Sequence, residues 1–396
     1  MNTVAYLVSD YFAPSHTFVR REVAALQKTG LRVETFSIQP EQKAPSDTES
    51  ILGRPLFDYV FALLWALITR PNKFFASWGL ALAHRPPGLR GLVWSQFHFV
   101  EAIVLARLLK AKGCTRLHNH FANSAATVGM IAAHFSKIPW SLTLHGISET
   151  DFPAGMLLGE KLERADFVAC ASYFMQAQAM RMVGFANWSK MHVVRCGIDV
   201  SILPIANDEK RVASKAGSVA LICVGRLSAE KGYFGLLDSL ARLAGEGFDF
   251  SVCIVGDGPS ADEIHAKVAE LALTDRVRFA GALPEDETLA EIGNAQVLVL
   301  PSLMEGLPVV LIEALAMGKA VVAARVAGIP ELIEEDRTGL MFTPSDWTDL
   351  ERQLRRILQD EELRHALGTN GVEKVSAEFT SAAAAGHMAQ LLAVTS

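Results

Sequence analysis

Short apolar runs recur along this chain, each followed by a stretch of helical periodicity, and that alternation limits the fold more than any other feature. In the first half the runs are Val4 to Ser9, Arg32 to Ile38, Arg116 to His120, Trp140 to His145, Phe167 to Ala171 and Met191 to Arg195. In the second they are Val219 to Gly225, Phe250 to Val255, Arg276 to Ala280, Val297 to Leu300, Ala320 to Ala324 and Gly339 to Phe342. Strands separated by helices pair in parallel, so the pattern predicts α/β architecture with two doubly wound sheets. At 396 residues the chain exceeds one ordinary core, since domains run to roughly 150 residues. Residues 199–218 are more polar and less periodic than their flanks and read as the linker. Two such halves place a cleft between their carboxyl edges, where ligands bind in sheets of this kind.

Half of the residues are hydrophobic and a fifth charged, which excludes a disordered chain. The net charge of −6 argues against general nucleic-acid binding, which needs a basic surface to neutralise phosphates. Cys114, Cys170, Cys196, Cys223 and Cys253 are scattered through apolar runs without metal-ligand spacing, and read as reduced core cysteines of a cytoplasmic protein. The first ten residues lack a signal-peptide pattern and read as a strand. One segment departs from the average: Arg54 to Lys112 carries eight Lys/Arg against two acids, with seven Trp or Phe residues from Trp65 to Phe99. Its longest charge-free run, Tyr59 to Thr69, is too short to span a bilayer, which needs roughly 20 residues. Two readings stand: helices lying on an anionic membrane surface, or helices packed on the fold with their basic side chains snorkelling outward.

The chemistry-bearing positions cluster after strands. Glu305 and Glu313 are separated by seven residues beyond Val297 to Leu300. Pro308 suits a first helical turn, which leaves Glu305 in the loop and puts Glu313 one to two turns inside the helix. Carboxylates roughly ten ångströms apart by helical rise can grip two parts of one ligand. The N–H groups of Gly306 and Leu307 then lie at the positive end of the helix dipole. Solvated glutamates, or a general acid/base pair, are the alternatives. Gly225, Arg226 and Lys231 put two cations at another helix start, a natural place for a diphosphate, although a solvated loop fits as well. Gly256 lies in a glycine turn that permits close backbone approach to a ring or phosphate, and an ordinary strand-to-helix turn explains it about as well. Leu283 follows the next strand, where backbone groups can meet the edge of a base. In the first half, His145 ends an apolar strand ahead of Gly146, and Ser15 or Thr17 is placed to cap the first helix. His118, His120 and Asn123 form a polar cluster that can contact an acceptor.

With "VGRLSAEKG", "VGDGP" and "PSLMEGLPVVLIEALAMGKAVVAARVAGIPELI" in this order, the second half resembles the retaining GT-B glycosyltransferases of family 4. "SHTFVRREVAAL", "HNHFANSAATVGMIA", "LTLHG" and "RCGID" extend the likeness to the bacterial exopolysaccharide and colanic-acid type. The resemblance implies two Rossmann-like domains facing a central cleft: residues 1–200 binding the acceptor, joined by a final helix over 376–396, and residues 201–375 binding the donor. It implies transfer of a hexose from a nucleotide-sugar, with UDP preferred, to a saccharide acceptor, lipid-linked given the basic aromatic segment. It implies no metal and no cofactor, in an enzyme peripheral on the cytoplasmic face of the inner membrane. Arg226 and Lys231 would hold the diphosphate, Glu313 the ribose, and Glu305, Gly306, Leu307 and Pro308 the sugar, with Gly225, Gly256 and Leu283 beside them. His145 would lie near the donor sugar and join Glu305, Arg226 and Lys231 in catalysis, while Ser15, His16, Thr17, His118, His120 and Asn123 would face the acceptor. The chain departs from the family pattern at His16, where related enzymes have Glu, at Cys196, where Asn is usual, and after His145-Gly146, where an acid two places on is common. A GT-B-shaped nucleotide-sugar epimerase, or a degenerate donor-binding partner, shares most of these features.

Overall fold

The computed structural model describes residues 3–13, 16–40, 47–151, 154–200, 203 and 218–393, so most of the expected linker lies outside the described residues. The chain divides into two compact units, Met1–Gly197 with Ser381–Ser396, and Ile198–Thr380.

The N-terminal unit holds strands β1 (Thr3–Val8), β2 (Arg32–Ser37), β3 (Glu49–Ser50), β4 (Cys114–His120), β5 (Trp140–Leu144), β6 (Val168–Cys170) and β7 (Met191–Val193) in the order β3-β2-β1-β4-β5-β6-β7. Every pairing is parallel. From β1 the chain winds one way through β2 to β3, then returns beside β1 at β4 and winds the other way, the doubly wound pattern. The C-terminal unit repeats it with β8 (Val219–Val224), β9 (Phe250–Val255), β10 (Val277–Gly281), β11 (Val297–Leu300), β12 (Ala320–Ala324) and β13 (Leu340–Phe342), ordered β10-β9-β8-β11-β12-β13. All four residues of β11 are buried, as a strand covered on both faces requires. Each such Val or Leu contributes about 1.5–3 kcal/mol relative to an exposed one. β3 is the strand that sequence pattern did not mark, because two residues carry no periodicity.

Helices α1 (Thr17–Lys28), α2 (Leu56–Thr69), α3 (Pro71–Ala83), α4 (Leu89–Ala111) and α5 (Ser124–Ser136) belong to the N-terminal unit. The alanine-rich tail forms the helix Ser381–Ala393, which buries Ala385, Met388 and Leu392 with Val19 and Val23 of α1. The helix after β11 begins at Val309 with Pro308 as its N-cap residue, one position later than the proline suggested.

The basic aromatic segment folds as α2, α3 and α4. On α2 the small residues Ala62 and Ala66 point inward, whereas Phe57, Val60, Phe61, Leu64, Leu67 and Ile68 are exposed at helical spacing. Leu56, Ile68 and Leu89 are 79 %, 78 % and 82 % exposed, and Phe75, Trp78, Val93, Trp94 and Phe97 extend the apolar surface. α4 is long and apolar enough to cross a membrane by length and composition, which the charge-free run Tyr59 to Thr69 did not suggest. Its second half is nevertheless core, with Phe99, Ala102, Ile103, Leu105 and Leu109 buried.

Candidate functional site

β8 and β11 are neighbours whose chains depart to opposite sides, and the loops after them are tied together. Leu303 N–H donates to Glu230 O at 2.8 Å. A Cβ on Gly232 would lie 2.1 Å from Pro301 O, so only glycine lets the two loops approach this closely. Gly232 is left-handed, with φ 68°, and turns the chain from Lys231 into the helix Tyr233–Gly245. Within this frame Lys231 Nζ donates to Glu305 Oε1 at 2.7 Å. Their side chains are 22 % and 10 % exposed, so the pair is sheltered yet open to a ligand. This is the topological switch point of the sheet, the place where doubly wound folds bind ligands.

The neighbouring loops complete the edge. Gly225 N–H donates to Val255 O at 3.0 Å, Tyr233 Oη donates to Gly225 O at 3.2 Å, and Leu227 N–H donates to Asp257 O at 3.0 Å. Burial, then Cys223 and Glu305, raise the Tyr233 hydroxyl well above its usual range, so it remains a donor. Sequence pattern leaves the Gly256 turn open to close approach of a ring or phosphate or to an ordinary strand-to-helix turn. The structure shows a different neighbour: a Cβ there would lie 2.0 Å from Gly225 O. Gly256 therefore serves loop-to-loop packing, with φ 141° and its N–H donating to Gly281 O at 2.8 Å. Arg226 is exposed, Leu283 is half-buried in the loop after β10, and Leu307 and Pro308 are buried at the start of the helix Val309–Ala316. Gly306 O accepts from Gly328 N–H at 3.0 Å, which fixes the loop carrying Glu305. Glu313 is buried one turn inside that helix.

In the N-terminal unit, period-two alternation puts His118 and His120 on one face of β4 and Asn119 on the other. Asn119 Nδ2 donates to Leu7 O, and its Oδ1 accepts from Trp140 Nε1 at 2.8 Å. His118 was expected among acceptor contacts, and its burial removes it: it is fully buried, its nitrogens 2.8 Å from Ser141 Oγ and 2.9 Å from Thr143 Oγ1. His120 is buried as well, with Nδ1 2.9 Å from His145 Nε2 and the two rings stacked. Asn123 is the N-cap of α5, accepting from Ala125 N–H at 3.0 Å and donating to Ser9 Oγ at 2.8 Å. Thr17 does not cap α1: His16 is its N-cap residue and makes no side-chain cap bond. The His16 ring instead reaches Asp10 O, at 2.5 Å, and packs on Phe121. Ser15 lies outside the described residues. Glu22, His118 and His120 bring three ligand-type atoms within 4.8 Å of one another, though a metal there would have to displace the hydroxyls that His118 already meets.

Glu149 in the His145 turn and Lys161 in the helix Leu158–Arg164 were not marked by the sequence pattern. Glu149 is buried; His145 N–H and Gly146 N–H donate to its Oε2 at 2.6 and 3.0 Å, and Ala122 N–H donates to Oε1 at 2.6 Å. Lys161, also buried, donates to Ala122 O at 2.5 Å and Asn123 O at 3.0 Å. Burial lowers the lysine to about 8 and raises the Glu149 carboxyl, which the three N–H donors and Lys161 oppose. Together they tie the loop after β4 to the loop after β5. The signal was the Gly146-x-x-Glu149 spacing, that of a capping carboxylate, and it explains how the turn manages without an acid two places after the glycine. Phe121, held left-handed at φ 67°, packs against His145 with ring centroids 4.7 Å apart.

Residues 204–374 match the model of the "Glycosyl transferases group 1" family, and residues 16–202 match "Glycosyltransferase Family 4". The chain is 37 % identical over 299 residues to the 2-deoxystreptamine glucosyltransferase of Streptomyces kanamyceticus, covering 70 % of this chain and 77 % of that protein. It belongs to the group 1 glycosyltransferases. This glycosyltransferase is also 30 % identical over 210 residues to a Salmonella typhimurium protein assigned to colanic acid biosynthesis, 51 % of each chain. Anabaena HepE, solved in complex with UDP and glucose, superposes on it with TM-score 0.76 at 18 % identity, covering 100 % of both chains. Its two parallel-sheet units are those of the GT-B fold, and its activity is glycosyl transfer from a sugar donor.

Proposed function

We propose that the protein transfers a hexose from a UDP-sugar, with retention at the anomeric carbon, to a lipid-linked saccharide acceptor in cell-surface polysaccharide synthesis. The observation that carries this reading is the Lys231–Glu305 pair at the β8/β11 switch point. A diphosphate entering there would draw Lys231, with Arg226 beside it, and free Glu305 to accept hydrogen bonds from the sugar hydroxyls. Glu313 would accept from the ribose, and the Leu283 loop would meet the base. Charge on the departing diphosphate falls to these two cations and to backbone N–H groups, with no metal or cofactor assigned a part. The acceptor oxygen attacks the anomeric carbon from the face the diphosphate leaves, the C–O bond to phosphate breaks, and the acceptor proton passes to the leaving phosphate. UDP is favoured by the complex of Anabaena HepE, and polysaccharide synthesis by the colanic-acid relative.

The lipid-linked acceptor and a peripheral place on the cytoplasmic face of the membrane rest on the outward apolar face of α2 and the ends of α3 and α4, flanked by Arg54, Lys73, Arg90, Arg107 and Lys110. Buried apolar area and roughly 1 kcal/mol per basic residue near an anionic surface act together in such binding. The protein is expected to sediment with vesicles containing phosphatidylglycerol, less so as salt rises. A Phe57→Ser/Ile68→Ser variant should lose most of that binding, both side chains being exposed. Failure of the unaltered protein to bind at low salt contradicts the membrane assignment and leaves the donor reading standing.

A further inference from the structure

A cavity of about 410 Å³ opens at the amino-terminal edge of the N-terminal sheet, opposite the edge that carries His145. Two helical stripes wall it: Lys73 and Leu80, seven residues apart on α3, and Met130, Ala133, His134 and Lys137 at helical spacing along α5 and its end. Trp140, the first residue of β5, and Asp166, ahead of β6, line it from the sheet. Arg164 lines it from the end of the helix Leu158–Arg164. Its volume is within the range of small-molecule sites, roughly 300–1,000 Å³.

The charge of this cavity runs against that of the chain, whose net is −6. Asp166 is met by the buried Arg116 at 3.2 Å, and Glu160 is met by Arg164 at 2.8 Å. The ammonium groups of Lys73 and Lys137 have no ion pair among the described residues, so two positive charges are left over. They are not spent on the end of α5 either. Phe135 O and Ser136 O accept from Arg70 Nη1 at 3.2 and 2.9 Å, and Ala133 O accepts from Ile138 N–H at 3.2 Å. The half-buried ring of His134 lies among these cations. Burial, then Lys73 and Arg164, hold it below its ordinary value, so it is neutral at pH 7.5.

We propose that this cavity binds a phosphate monoester, with Lys73, Lys137 and Arg164 holding its oxygens and His134 beside them. Such a group carries about −1.5 to −2 at neutral pH and three acceptor oxygens, which suits two unanswered ammonium groups and a guanidinium fork. An anion seated there also favours the protonated ring of His134, which then donates to it. The site lies wholly within the N-terminal unit and does not rest on the donor reading. Two sources share this chemistry: a soluble phosphate ester, or a lipid headgroup whose chains lie on Phe75 and Trp78, exposed on the same helix as Lys73.

Labelling histidine with 13C at Cε1 in the full chain gives a titration of His134, assigned by the loss of its signal in His134→Asn. At constant ionic strength set with sodium chloride, saturating glycerol 3-phosphate should raise its midpoint by about one pH unit, the effect of an opposite charge within a few ångströms. In Lys73→Gln/Lys137→Asn that rise should vanish. Asparagine suits the left-handed φ of 59° at position 137, and neither side chain belongs to the core. Dihexanoyl phosphatidic acid below its micelle concentration carries the same headgroup on short chains. Half-saturation at a concentration about tenfold or more below that of glycerol 3-phosphate assigns the site to lipid, since the chains add buried apolar area, and a smaller difference assigns it to a soluble ester. No rise with either ligand, or a rise of the same size in the double variant, overturns the proposal. The titration needs neither vesicles nor turnover, so failure of the membrane or glycosyl-transfer reading would appear separately.

Discussion

Lys231→Met is expected to lower kcat by about 10²- to 10³-fold, the loss that follows removal of one preorganised donor from a site of developing negative charge. Lys231 is the cation held at the switch point, bonded to Glu305 at 2.7 Å, whereas Arg226 is exposed and less constrained. Glu305→Gln should fall in the same range, since the amide accepts more weakly from sugar hydroxyls and no longer holds Lys231 in place. The fold should survive both changes. The pair sits at a loop edge, and leaving one partner without the other costs about 1–3 kcal/mol, not the core of the unit. Because the two side chains act as one element, the double variant should lose much less than the product of the single losses. Circular dichroism establishes that each variant is folded, and single-turnover kinetics separates binding from chemistry. Turnover near that of the unaltered protein in both single variants would remove the pair from the mechanism.

The N-terminal unit is expected to lose stability steeply between pH 7 and pH 5, while the C-terminal unit changes little. His16, His84, His98, His118, His134, His145 and His192 are all held below their ordinary value, chiefly by burial, and all lie in the N-terminal unit. His98 is pushed down to about 4. A histidine whose folded value is depressed binds its proton in the unfolded chain first, so stability falls as pH drops below about 6.5 toward the folded value. Each such group contributes up to about 1.4 kcal/mol per pH unit over that window. Glu101, raised by burial to about 7, acts with the opposite sign, as does the raised Glu149, and together they offset part of the loss. Five of the six tryptophans, Trp65, Trp78, Trp94, Trp140 and Trp188, lie in the N-terminal unit, so urea unfolding followed by tryptophan fluorescence reports that unit. The midpoint should drop by the equivalent of about 3 kcal/mol or more from pH 7 to pH 5. A constant or rising midpoint would show that the burial of these rings does not control their protonation.

The fold was legible because its strands are short, apolar and bounded by glycine or charge. β9, β11 and β12 have the limits that pattern alone marked, and the others shift at their ends, where fraying and loop bonds decide. The β8 and β11 loops were legible as a candidate edge because Gly225 directly follows β8, and Lys231 and Glu305 lie in the loops after β8 and β11. Their direct contact was not, since it depends on β8 and β11 being neighbours across 74 residues of chain. The other side misled for a definable reason. Alternation placed His118 and His120 on one face of β4, yet nothing local says that Tyr6 and the hydroxyls of β5 cover it. Lys161 reads as a solvated helical residue until the fold brings the carbonyls of Ala122 and Asn123 over its ammonium. Glu22 sits in a helix like any surface acid, and only the tertiary fold sets it against His120.

Activation of a UDP-hexose at this switch point for transfer with retention is tested most directly by proton NMR of the reaction. The protein would be given UDP-, GDP- and ADP-hexoses in turn with a lipid-linked saccharide acceptor, and the first-formed product examined for its anomeric coupling. The expected result is turnover of a UDP-α-hexose into an α-linked product, abolished in Lys231→Met. A β-linked first product from that donor, or equal turnover by the Lys231 variant, would contradict it.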